Sequence, residues 1–204
     1  MRYFFTMIIT ALLSHNLMSV SAHAELKPSE RFITDVTSQA LEILKSAETP
    51  QQLETEFGIL LDTRTNMTRI AKFTLGHAAR SVDKADLVRF TKALRDTMVK
   101  IYGNRLAGFT NEKVIVTGSQ TKGRNHLVNS RVEFANSRPP VDMVWWVIEE
   151  KDGSYTLFDI QVLGVWMAQE QRDIFSGILK TNNNNMEALI EHLTNQMKTA
   201  ASDS

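Results

Sequence analysis

Asp159 interrupts an apolar run, Leu157-Phe158-Asp159-Ile160, and so is the first residue to question for chemistry. A carboxylate in such a place needs a partner or water. Two assignments fit. One is a structural ion pair, with Arg172 a little further along the chain as the partner. The other is a general base in an apolar cavity, its proton affinity raised by burial. The ion pair is the commoner arrangement. Tyr102 could lend a hydrogen bond to such a cavity. A tyrosine in an apolar stripe is more often a core residue with its hydroxyl at the rim.

Little else in the chain could do chemistry. Cysteine is absent, so no disulfide, thiolate metal site or cysteine nucleophile is available, nor a lipid anchor on an N-terminal cysteine. Past the first 24 residues the histidines are His77, His126 and His192, scattered and without the i, i+4 spacing that sets two imidazoles on one metal. No glycine-rich phosphate loop and no Gly-x-Ser-x-Gly elbow occurs. The 204 residues hold 23 basic and 23 acidic side chains, a balance unlike that of a nucleic-acid binder. These absences make a metal site an unexpected one and leave the two assignments of Asp159 as the open chemical question.

The elements that must position any site follow from periodicity. Phe32, Ile33, Val36, Ala40, Ile43 and Leu44 recur at helical spacing. Thr49-Pro50-Gln51-Gln52 predicts a capped second helix, with threonine and glutamine side chains satisfying free backbone N–H groups. A third helix is expected over 67–80. Asp83 caps a fourth, striped by Leu87, Phe90, Leu94, Met98 and Ile101. From Glu112 the period changes to two. Strands are expected over 112–121, 125–136, 141–150 and 155–165, with Gly123, Pro139-Pro140 and Asp152-Gly153 in the turns. In the fourth strand strict alternation sets Phe158, Ile160 and Val162 on one face. The third, Met143 to Ile148, is apolar on both faces, so both should be covered. Helices are expected over 168–179 and from Met186 to Met197, the latter capped by Asn184 with Glu187. The pattern is an α+β domain with a four-stranded antiparallel sheet.

Residues 1–24 read as a secretory leader: Arg2, the apolar run Tyr3 to Leu13, then Ala22-His23-Ala24 as a small-x-small cleavage pattern. That run is too short to span a bilayer, which takes about 20 residues. Residues 25–204 then form one domain.

Three segments together resemble the MlaC, or toluene-tolerance, family of periplasmic phospholipid carriers. The first is Phe73-Thr74-Leu75-Gly76-His77-Ala78-Ala79-Arg80 with the helix ending Ile101-Tyr102-Gly103. The second is Trp145-Trp146-Val147 leading into the Asp152-Gly153 turn. The third, and most specific, is Leu157-Phe158-Asp159-Ile160-Gln161-Val162-Leu163-Gly164-Val165, then Arg172 and Phe175. There are departures. Where the family has Val-Ser-Leu-Val after the glycine, this chain has Val165-Trp166-Met167-Ala168, and Tyr155 replaces a tryptophan.

The resemblance implies an NTF2-like curved sheet with an N-terminal helical subdomain and two C-terminal helices. It implies a soluble, monomeric periplasmic carrier of phospholipid that is not an enzyme and needs no cofactor or metal. The partners it implies are an outer-membrane lipoprotein–porin complex and an inner-membrane ABC transporter with an MCE-domain ring, which together maintain outer-membrane lipid asymmetry. The lipid-facing walls are then expected from Phe73, Leu75, Met98, Val99, Tyr102, Leu106 and Phe109 on the helical side. From the sheet they are expected from Val132, Phe134, Val144, Trp146, Ile148, Phe158, Ile160 and Val162, with Trp166 near the mouth. Other readings are a hopanoid-associated relative, an NTF2-like cavity enzyme using Asp159 and Tyr102, and an adaptor with a solid interior.

Overall fold

The fold is described from a computed structural model, which covers residues 25–106, 111–136 and 138–202, with the backbone alone at 104–106 and 202. The expected leader and Phe109 lie outside these residues, as does the Leu106 side chain.

Four helices come first: α1 (Pro28–Ser46), α2 (Pro50–Arg64), α3 (Met67–Leu75) and α4 (Lys84–Leu106). The strands β1 (Lys113–Lys122), β2 (Asn125–Glu133), β3 (Val141–Glu149), β4 (Tyr155–Val162) and β5 (Val165–Trp166) follow, then α5 (Met167–Thr181) and α6 (Met186–Ser202). The strands make one open antiparallel sheet in sequence order. The α+β architecture is as expected, with five strands in place of four.

Local chemistry explains the boundaries. The Thr49 hydroxyl accepts the Gln52 N–H at 3.1 Å, and the Gln52 side chain accepts the Glu48 N–H at 3.1 Å. Asp83 accepts the Asp86 N–H at 2.8 Å and so opens α4. The third helix is shorter than expected. Gly76 takes φ +58, which only glycine adopts cheaply, and the chain tightens into a 3₁₀ turn over Gly76–Arg80. The cap of α6 also shifts by one residue. Asn183 and Asn184 both have positive φ, and Asn185 accepts the Glu187 N–H at 2.9 Å.

The fifth strand arises because the expected fourth one folds back. Leu163 (φ +51) and Gly164 (φ +84) make a two-residue turn, and Val162 pairs with Val165 across it. In this conformation the leucine Cβ crowds the next carbonyl oxygen, a strain that Gly164 does not share. The other hairpins form as expected. Gly153 has φ +84, and the Ser154 N–H donates to Asp152 at 3.0 Å.

Two apolar cores lie on opposite sides of the sheet. One joins α3, α4, α5 and α6 to β4 through Leu75, Phe90, Leu94, Phe158, Phe175, Leu189 and Leu193, with Trp146 and Ile148 packed against it. The other joins α1 to the sheet through Phe32, Ile33, Val36, Val128, Trp145 and Val147. The double coverage of β3 is therefore as its composition requires.

Candidate functional site

Strict alternation fails in β4. Trp145 pairs with Ile160 and Trp146 with Asp159, yet Val147 pairs with Leu157, so Phe158 is an extra residue in a bulge. The bulge corrects the expectation that Phe158, Ile160 and Val162 share a face. Phe158 lies on the α5 side, its ring edge-on to Trp146 at 4.8 Å and to Phe73 at 5.1 Å. Ile160 lies on the α1 side, packed against the Trp145 and Val147 core. Val162, opposite Met143, follows Ile160.

The expected wall residues thus fall into two groups separated by the sheet. Phe73, Leu75, Met98, Trp146, Ile148 and Phe158 belong to or pack on the α3–α6 core. Val144, opposite Gln161, shares the Trp146 face, and Trp166 is edge-on to Trp146 at 5.9 Å. Leu75 is 1% exposed and Phe158 8%, so this side is tightly filled around them. On the other side stand Val132, Ile160 and Val162, with Val132 paired to Val141. Phe134 is half-buried just past the end of β2. Val99 is buried and Tyr102 half-buried in the second half of α4.

The α1 side changes along the strands. Val128, Trp145 and Val147 are sealed beneath α1. Towards the other strand ends, Val132, Val141, Met143, Ile160 and Val162 are all only half-buried, as are Val114 and Val116 on β1. The helices show the same gradient. Phe32, Ile33 and Val36 at the start of α1 are buried, whereas Leu41, Ile43 and Leu44 at its end are not fully covered. Phe57 on α2 and Ile101 and Tyr102 on α4 are also half-buried. The three helices are neighbours, since Arg64 of α2 bonds Gln39 of α1 at 3.1 Å and Lys100 of α4 meets Glu54 of α2. Sequence reading did not choose Val141, Met143, Ile43 or Leu44 as wall residues. The available signals were the apolar last turns of α1 and the apolarity of β3 on both faces.

The polar groups beside the Trp145 core are paired, while the buried Arg64 Nε at the α1–α2 contact has no hydrogen-bond partner. The Trp145 indole N–H donates to the Ser130 hydroxyl at 2.8 Å, both residues being buried. His126 holds Thr121 at 3.0 Å and Glu149 at 3.3 Å through its two ring nitrogens. Burial pushes the Glu30 carboxyl up, but the Ser119 hydroxyl and Lys27 outweigh it and hold it below the usual carboxylate range. An apolar surface with its buried polar atoms paired can shelter hydrocarbon.

Asp159 is 5% exposed and makes no ion pair with Arg172. Its Oδ1 accepts the N–H groups of Ile160 at 2.7 Å and Ala168 at 2.8 Å, which caps the start of α5. Burial raises its pKa above the ordinary value, and these N–H groups oppose the shift. Arg172 lies over the Phe73 ring instead, 5.2 Å from its centre. Among the described residues no group of three His, Asp or Glu side chains is placed to hold a metal ion.

The family model for MlaC protein matches residues 34–195. The chain belongs to the MlaC family. Its sheet and helices also match a solved structure, the phospholipid-binding protein from Ralstonia solanacearum in complex with a phospholipid. The TM-score is 0.75 at 15% identity, over 84% of this chain and 98% of that one. No curated protein matches in sequence. In this MlaC family member no described helix is long and apolar enough to cross a membrane.

Proposed function

We propose that this chain is a soluble periplasmic phospholipid carrier and that acyl chains lie against the α1 side of its sheet. The observation that carries the reading is the half-buried apolar row Val132, Val141, Met143, Ile160 and Val162 beside the sealed Trp145 core. Membership of the MlaC family and the likeness to a phospholipid-binding protein support it. The chemistry needed is shelter. Each methylene withdrawn from water contributes about 0.8 kcal/mol, so two acyl chains represent on the order of 20 kcal/mol before entropic losses. Free diffusion of such a lipid is prohibitive, and an apolar wall without a reactive group suffices to carry it. We further propose that the lipid passes between an outer-membrane lipoprotein–porin complex and an inner-membrane MCE-type ABC transporter, which preserves outer-membrane lipid asymmetry.

The test is lipid extraction and native mass spectrometry of protein purified from a bacterial envelope. Phospholipid in near-stoichiometric amount is the expected result. Repeated preparations free of phospholipid overturn the proposal. A polycyclic lipid in its place would assign the chain a different cargo.

A further inference from the structure

Leu163 is 78% exposed, the highest value among the large apolar side chains of the described residues. It stands at the tip of the two-residue turn between β4 and β5 in a left-handed conformation that asparagine or glycine adopts more easily. Val165, on the far side of the turn, is 44% exposed. Val88 and Ile59 are also exposed, at 69% and 57%, but each lies on a helix among charges. Val88 sits between Asp86 and Arg89, which pair with each other, and Ile59 lies one turn from Asp62, which pairs with Arg95. The turn is different. From Ile160 to Gln169 the chain carries no charged side chain. Next to Met143, which pairs with Val162, Asp142 is tied to Arg131 at 2.9 Å. The Gly164 carbonyl, which would otherwise need water, accepts the Gln161 amide at 3.2 Å.

We propose that the Leu163–Gly164 turn, with Val165, is a tip that enters the surface of a lipid bilayer. The proposal rests on the carrier reading for its purpose, since Val162 joins the tip to the half-buried apolar row on the α1 side. A bilayer fits better than a protein socket. It asks for an apolar point, no charge to strip of water and a satisfied turn carbonyl, and it offers no fixed donors or acceptors for the turn to match. The tip brings the end of the apolar row to the membrane, so a lipid crosses little water on entry or exit.

The experiment compares the full protein with Leu163→Asn, Val165→Thr and Val88→Gln. Asparagine suits the left-handed position, so Leu163→Asn keeps the turn and melts at or above the parent temperature. Binding is read by tryptophan quenching on vesicles of brominated phosphatidylcholine, with Trp166 close behind the tip, and needs no bound cargo. Leu163→Asn should weaken vesicle binding about tenfold, which is a leucine side chain's share of apolar burial, and Val165→Thr by a smaller factor. Val88→Gln should leave it within about twofold. Transfer of a fluorescent phospholipid from the loaded protein to the same vesicles should slow in the same order. Equal binding by the parent and Leu163→Asn overturns the proposal, including the case in which the turn serves a protein partner. An equal loss in Val88→Gln also overturns it, since any exposed apolar residue would then suffice. Vesicle binding that depends on Leu163 in protein free of extractable lipid sinks the carrier reading and leaves the tip standing. Bound lipid with binding indifferent to Leu163 does the reverse.

Discussion

Phe158 and Ile160 stand two residues apart on β4 and face opposite sides of the sheet. The bulge gives the two residues different work. Phe158 closes the helical core with Trp146 and Phe73, while Ile160 ends on the half-buried α1 side.

Substitutions at the two positions should therefore separate stability from cargo. Phe158→Ala leaves a cavity in a filled core and should cost about 3–5 kcal/mol in chemical denaturation, with lipid per folded molecule unchanged. Ile160→Trp should cost under about 3 kcal/mol and reduce co-purifying phospholipid. Loss of lipid in both variants, or in neither, would remove the distinction between the faces.

Asp159 should behave as a helix cap. Asp159→Ala loses both backbone bonds and should cost about 2 kcal/mol, whereas Asp159→Asn keeps an acceptor oxygen and should cost less. Its folded pKa is raised by burial, so its contribution is fully present below the unfolded value and is lost as pH rises through the folded one. Stability of the parent relative to Asp159→Asn should fall from acid towards neutral pH in paired denaturation curves. An Asp159→Asn protein of normal stability that has lost a catalytic activity would restore the enzyme reading.

Glu150 should give the opposite slope. The two guanidinium bonds from Arg69, at 2.6 and 3.0 Å, are the largest reason its carboxyl falls to about 2, and the Thr156 hydroxyl adds to them. A lowered pKa stabilises above the unfolded value near 4.5, and the effect is lost as pH falls towards about 2. Glu150→Gln should cost on the order of 1–3 kcal/mol at pH 7. The parent and variant curves should converge between pH 4.5 and about 2. A constant gap across that window would show that the carboxylate charge is not what stabilises the pair.

Much of this architecture is legible in the residues because its causes are local. Thr49 with Gln52, Asp83, and Asp152-Gly153 mark boundaries through bonds spanning three residues or fewer, and the structure places them as read. The apolarity of β3 on both faces announces a sheet covered twice. The candidate wall was less legible. Periodicity assigns faces by counting, and one extra residue at Phe158 reverses the count for everything after it.

By itself the sequence determined where most elements start, how the first four strands pair as hairpins, and that no cysteine chemistry is on offer, since each depends on residue type and short-range bonding. Tertiary structure decided which side of the sheet each β4 residue meets and that Asp159 caps α5 instead of pairing with Arg172. It also decided that the apolar surface near Val132 and Val162 is left half-covered. Those outcomes depend on which distant helix arrives to bury a side chain, and local spacing carries no record of that arrival.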